Sequence, residues 1–221
     1  MICPKLRICL ESRGIMGYDQ VIEKVIKQFA RLPGVGNKTA ERFVYFYLWA
    51  PKEEALRLSE YLKDLVNNTK SCKYCYNRSS TNPCNICIDK RRNKNVICVV
   101  ESPLDLISIE KTQVYNGLYF VLGGIIDPAN GIGPEELRFT ELTTRLLQLC
   151  AELSEIEVIF ALSPTLQGEA TINYAKNEII KKISNETIKF TKLAQGLASG
   201  ADLQYTDSMT LRRALNGRVN L

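Results

Sequence analysis

From Tyr18 to Ala30 the apolar residues Val21, Ile22, Val25, Ile26, Phe29 and Ala30 recur three and four positions apart, and Pro33 stops the pattern. That spacing predicts a helix with one buried face. A second helical run starts near Lys38, carries Ala40, Phe43, Val44 and Tyr47, and ends before Pro51. A third, roughly Lys52 to Asn67, sets Ala55, Leu58, Leu62, Leu65 and Val66 on one side. From Asn95 onward the period changes. Strand-like runs at Val96 to Val100, Leu118 to Leu122, Ile156 to Leu162 and Ile188 to Ala194 alternate with helical patterns at Pro103 to Lys111, Pro134 to Ser154 and Gly168 to Ile183. Such alternation predicts a mostly parallel sheet covered by helices.

The first two helices are joined by LPGVGNK. A helix, a tight turn with two glycines two apart and a second helix form a helix-hairpin-helix pattern, in which Gly34 and Gly36 let the backbone approach a phosphate. Lys38 and Arg42, four residues apart, share one face of the second helix and can add direct phosphate contacts. The run GVGNKT does not read as a P-loop, because Lys38 follows no glycine and no strand precedes the turn. A turn that only packs two helices is the plainer alternative.

After the third helix comes Cys72-x2-Cys75-x8-Cys84-x2-Cys87. Each pair is spaced to hold one ion from a tight turn, and four thiolates leave no open position for water, so the expected metal is a structural zinc. Two disulfides would need an oxidising compartment.

Composition narrows the remaining chemistry. The 221 residues contain no histidine, which excludes Ser-His-Asp and Cys-His nucleophiles, H-E-x-x-H zinc sites and histidine proton shuttles. The net charge of +5 is modest but uneven: between Asn68 and Asn95 seven basic residues, Arg91 and Arg92 among them, face Asp89 alone. A patch of this kind suits a polyanion, although a solvated loop is the default for a cluster such as DKRRNK. Residues 1–15 contain no apolar run longer than three, too short for a signal-peptide core or a membrane span. They read as a disordered extension, and the protein is expected to be cytoplasmic, with no membrane partner.

Two places in the α/β half could carry a site. Glu101 falls at the carboxyl end of the first strand, and FALSPTLQGEA, residues 160–170, turns from the third strand into a helix. Ligands bind at such junctions in open α/β sheets. Here the turn offers Ser163, Thr165 and Gln167 where a metal-using enzyme would want carboxylates, with Glu169 the only charge.

The order of these features, followed by VVESPLDL, GGIIDPANGIGPEEL, ALSPTLQGEAT and GLASGADLQYTDSMTLRRALNGR, resembles the RecR family of bacterial recombination proteins from about Tyr18 onward. The resemblance implies an α+β multidomain chain. Its expected parts are a helix-hairpin-helix DNA-binding domain at 16–67, a zinc-finger module at 68–94, a Toprim-type α/β domain at 95–194 and a C-terminal helical segment at 195–221. Active Toprim enzymes carry a strand-end Glu and a D-x-D-type turn that bind magnesium. Glu101 fits the first position, but Ser163 and Thr165 replace the two aspartates, each of which would add several kcal/mol of gross attraction for a divalent ion. The expected reading is a degenerate, non-catalytic site or a partner contact formed by Glu101, Ser163, Thr165 and Glu169.

The resemblance further implies a tetrameric ring able to encircle DNA, acting with RecO-like and RecF-like proteins to help load RecA on DNA covered by single-strand-binding protein. Phe120, Lys192, Gln195 and Gln204 depart from the usual family pattern, and Gln204 removes a charge from the C-terminal motif. Two alternatives stand beside this reading: a magnesium-dependent Toprim enzyme acting on nucleic acid, and a zinc-stabilised adaptor that binds only protein.

Overall fold

A computed structural model describes residues 18–183 and 187–218; the expected extension at 1–15 lies outside them. The chain divides into two compact units, 1–67 and 68–221.

The first unit is helical. Asp19 caps α1 (Gln20–Phe29) by accepting the Val21 N–H at 2.9 Å, and satisfies a donor that the first turn would leave unpaired. α2 (Asn37–Trp49) packs on α1 through Ile26, Ala40 and Val44. The predicted stripe on α1 is therefore only partly covered: Val21 and Val25 remain exposed. α3 (Lys52–Asn68) has the expected apolar side, yet none of its residues is buried. Leu58, Leu62 and Val66 instead line a wide cleft of about 850 Å³, with Val25, Phe29 and Leu48 opposite.

The second unit opens with a small knuckle: β1 (Lys70–Ser71) pairs antiparallel with β2 (Arg78–Ser79), and α4 (Asn85–Ile88) follows. The main sheet is then built from β3 (Asn93–Val100), β4 (Gly117–Val121), β5 (Ile156–Ala161) and β6 (Ile188–Lys192). Its order is β4-β3-β5-β6 and every pairing is parallel. Side chains alternate faces along a strand. Ile97 and Val99 therefore join the larger core with α6 (Phe139–Cys150) and α7 (Leu166–Ile180), while Cys98 and Val100 meet α5 (Pro103–Glu110) on the opposite face. Two-sided coverage explains why β4 reads as an unbroken apolar run and is buried at every position.

Two helix boundaries differ from the periodicity. The pattern from Pro134 to Ser154 splits, because Pro134–Glu136 forms a 3₁₀ turn and Leu137 is extended. The Arg138 N–H donates to the Leu122 carbonyl at 3.1 Å, a bond to the sheet that a continuous helix would forfeit. α7 begins at Leu166, two residues before Gly168, since the Thr165 hydroxyl caps it by accepting the Gly168 N–H at 3.1 Å. After β6, a 3₁₀ turn at Leu203–Tyr205 leads into α8 (Ser208–Asn216), capped by Asp207.

Candidate functional site

Chain order places β3 in the middle of the sheet, sends β4 to one side and returns β5 to the other, so the strand order reverses between β3 and β5. Val100 and Ala161 are in register, and Glu101 and Ser163 therefore emerge together above this reversal. A Glu101 carboxylate oxygen accepts the Ser163 backbone N–H at 2.5 Å. Thr165 is engaged in capping α7, and Glu169 is held by Lys192 at 2.7 Å. Gly168 is required by contact: a Cβ there would lie 2.0 Å from the Ser163 carbonyl oxygen. The four expected residues are thus brought to one turn, where Glu101 is taken up by the Ser163 N–H, Thr165 by α7 and Glu169 by Lys192. Lys192, on β6, is the neighbour that periodicity does not reveal, since its pairing with Glu169 depends on the β5–β6 register.

The cysteines converge. All four Sγ atoms lie within 4.8 Å of one another, with Cys75 and Cys84 at 3.5 Å. A tetrahedral ion with metal–sulfur bonds of about 2.3 Å requires sulfurs about 3.8 Å apart, so the donor set fits one ion. No disulfide joins them. The Cys84 N–H donates to Cys72 Sγ at 3.3 Å, and Cys72, Cys75 and Cys84 are buried. Hydrogen bonds from Cys75 and then Cys87 pull the Cys84 thiol far down, whereas contact with Cys84 pushes Cys75 up and contact with Cys75 pushes Cys87 up. The crowding of Cys75, Cys84 and Cys87 is what a shared cation would relieve. Among the described residues this is the only group of three or more ligand-type side chains close enough to share an ion.

The knuckle is fastened to the sheet. The Val121 N–H donates to the Cys75 carbonyl at 2.8 Å, and the Tyr76 ring packs on Phe120 with centroids 5.4 Å apart. Tyr76 itself is left-handed, with φ of 61°, a conformation that costs a non-glycine residue about 1 kcal/mol or more and that these contacts hold.

In the hairpin, Gly34 has φ of +77°, a region costly for other residues, and a Cβ at Gly34 or Gly36 would meet nothing within 4 Å. The turn is open to an approaching ligand. Gly36 is the N-cap of α2 and has no side chain to satisfy the first-turn N–H groups, and the first turn carries no acidic residue. Lys38 and Arg42 are exposed and form no ion pair among the described residues. Unpaired N–H groups, the positive end of the helix dipole and two free cations together favour an anion.

The second basic cluster is arranged differently from the expectation. Arg92 turns inward: its guanidinium donates to both carboxylate oxygens of Glu110, and to the Gly117 carbonyl at 3.1 Å. Its side chain is only 13% exposed. Arg91 points outward but is doubly hydrogen-bonded to Asp89, whose carboxyl it draws down to about 2. Lys70, Lys73, Arg78, Lys90 and Lys94 remain exposed and unpaired among the described residues.

Comparison with known proteins places these features together. A model of the RecR helix-hairpin-helix matches residues 22–66, a Toprim domain model matches 95–194, and a RecR C-terminal model matches 196–219. The chain is 44% identical over 205 residues to "Recombination protein RecR" of Chloroherpeton thalassium, covering 92% of this chain and 98% of that one. It is 44% identical over 204 residues to the protein of the same name from Bifidobacterium longum subsp. infantis, and 43% identical over 201 residues to that of Tropheryma whipplei, each covered to 98%. The acidic pair of catalytic Toprim domains is absent here, and among the described residues no helix is long and apolar enough to cross a membrane. From the glycine hairpin through the four-cysteine knuckle to the non-catalytic Toprim sheet and its C-terminal helix, the chain belongs to the RecR family of recombination proteins.

Proposed function

We propose that this protein is a DNA-binding recombination and repair mediator that works as a clamp in the cytoplasm. It closes into a tetrameric ring around DNA, acts with RecO-like and RecF-like proteins, and helps load RecA where single-strand-binding protein covers the DNA. The observation that carries DNA binding is the open hairpin: Gly34 and Gly36 leave the backbone accessible, the α2 N-terminus is uncapped, and Lys38 and Arg42 stand unpaired beside it. Family membership supports the recombination role. Zinc in the four-thiolate site is structural, because a closed set of four sulfurs offers no position for a substrate or water.

Arg91 and the exposed lysines of the second unit supply further phosphate contacts. Arg92, held by Glu110, orients that segment from within. Glu101 and Glu169, each already partnered, serve the fold or a protein contact rather than phosphoryl transfer. The deciding experiment is solution mass with and without DNA. A clamp gives a mass of four chains and stays on circular DNA at salt concentrations where it runs off linear DNA of the same sequence. Equal loss from both forms excludes encirclement.

A further inference from the structure

The outward face of α2 continues past its two cations into a half-buried tyrosine and an exposed tryptophan. Lys38, Arg42, Tyr45 and Trp49 are spaced four, three and four residues apart, which puts all four on one narrow stripe of the helix, about 16 Å long at 1.5 Å per residue. Of the neighbouring aromatics, two turn away from this stripe and the exposed Phe46 borders it. Phe43 and Tyr47 pack back on Phe29 of α1, with centroids 5.7 and 6.3 Å apart. Trp49 is 82% exposed. Its ring lies 5.6 Å from Tyr45, and Tyr45 lies 6.2 Å from Tyr18. Tyr18, Glu41, Arg42, Tyr45, Phe46 and Trp49 line an open cleft of about 420 Å³.

We propose that this stripe is a stacking platform for the bases of single-stranded DNA, entered from the phosphate-holding hairpin at its N-terminal end. The inference rests on the DNA-binding reading of that hairpin and adds which form of DNA it grips. An exposed tryptophan beside a tyrosine is costly to leave in water, and the occupant that covers it must also satisfy Lys38 and Arg42, whose only acidic neighbour on the stripe is the half-buried Glu41. Unstacked nucleotides do both: phosphates meet the cations, and base faces meet the rings. A duplex keeps its base faces stacked inside and offers only edges and phosphates. It would therefore use Lys38 and Arg42 without engaging Tyr45 and Trp49.

Trp49 is the only tryptophan in the chain, so its emission reports on the platform directly. The full-length protein is titrated with a thymidine oligonucleotide and, separately, with a duplex of equal length, each end-labelled so that anisotropy records binding. Quenching of Trp49 by the single strand, saturating together with the anisotropy, is the expected result, and duplex binding leaves the emission unchanged. Tyr45→Leu and Trp49→Leu, which retain apolar bulk, each weaken single-strand binding by about fivefold to a hundredfold and leave duplex affinity as it was. Single-strand affinity unchanged in both variants overturns the platform. So does Trp49 emission that follows protein concentration and ignores DNA, which would mean a second copy covers the stripe. Failure to bind either DNA form would instead refute the DNA-binding reading itself, and the platform with it.

Discussion

The Glu101 carboxylate accepts the backbone N–H of Ser163 across the β3–β5 reversal. A catalytic Toprim site would aim that carboxylate at a divalent ion. In this chain it closes the mouth of the sheet by joining the two strand ends, and Glu169 is likewise occupied by Lys192.

From this follows a prediction for magnesium. Millimolar magnesium should leave the melting temperature unchanged and support no cleavage, ligation or primer synthesis on any DNA form. Glu101→Ala removes the acceptor from the Ser163 N–H and should cost about 1–3 kcal/mol by denaturant unfolding. Magnesium-dependent turnover that disappears in Glu101→Gln would show that the carboxylate still serves a metal.

For the hairpin, each phosphate contact removed lowers the magnitude of the slope of log affinity against log salt by about 0.9 on duplex DNA. Lys38→Ala combined with Arg42→Ala should thus flatten the slope and weaken binding to all sequences alike. Both side chains are exposed, so melting temperature and metal content should barely change. Wild-type affinity with an unaltered slope in the double variant would remove the hairpin from DNA binding.

Arg92 and Glu110 give a prediction about pH. The Arg92 guanidinium, and after it the Tyr119 hydroxyl at 2.7 Å, hold the Glu110 carboxyl below its usual range against the opposing effect of burial. A depressed carboxyl stabilises the fold fully above its unfolded value of about 4.3, and the contribution is lost as pH falls through the lower folded value. Arg92→Leu should lower stability near neutral pH and reduce the loss seen on acidification below about pH 4, without changing the DNA salt slope. A changed slope with intact stability would return Arg92 to the DNA-contact set.

The cysteine site predicts one bound zinc per chain in protein purified under reducing conditions. Sites of this kind contribute about 10–16 kcal/mol of apparent free energy at neutral pH. Cys72→Ala, Cys84→Ala or a strong chelator should therefore unfold the knuckle at 68–90. Acidification should release the ion too, because protons compete for the thiolates. Metal analysis that finds no zinc in fresh reduced protein would discard the assignment.

Much of this arrangement is legible in the sequence, and the reasons differ by element. The cysteine spacing is local, so Cys72, Cys75, Cys84 and Cys87 announce their convergence without tertiary knowledge. The strands are visible because burial on both faces writes an unbroken apolar run, as in Gly117–Val121. What sequence cannot display is partnership across distance. Arg92 reads as one more member of a basic loop until β3 and α5 bring Glu110, eighteen positions away, against it. The start of α7 at Leu166, by contrast, is local: Thr165 is an N-cap residue type three positions before Gly168, a signal that a reading from the glycine passes over. The alignment of Tyr45 and Trp49 with Lys38 and Arg42 is present in the spacing, off the apolar face of Ala40, Phe43, Val44 and Tyr47, but how far Trp49 stands in solvent is visible only in the structure.

The bond from Val121 to the Cys75 carbonyl bears on how the molecule avoids aggregation. An outer strand presents unpaired donors and acceptors to other chains, and proteins defend such edges with charge or cover. At one margin β6 carries Lys189 and Lys192. At the other, β4 reads Gly-Leu-Tyr-Phe-Val, with no charge at all. There the four-cysteine knuckle is the cover, since it takes the Val121 donor and lays Tyr76 over Phe120. Metal loss would therefore do more than loosen a small module: it would bare an apolar strand edge able to pair with its like in another molecule.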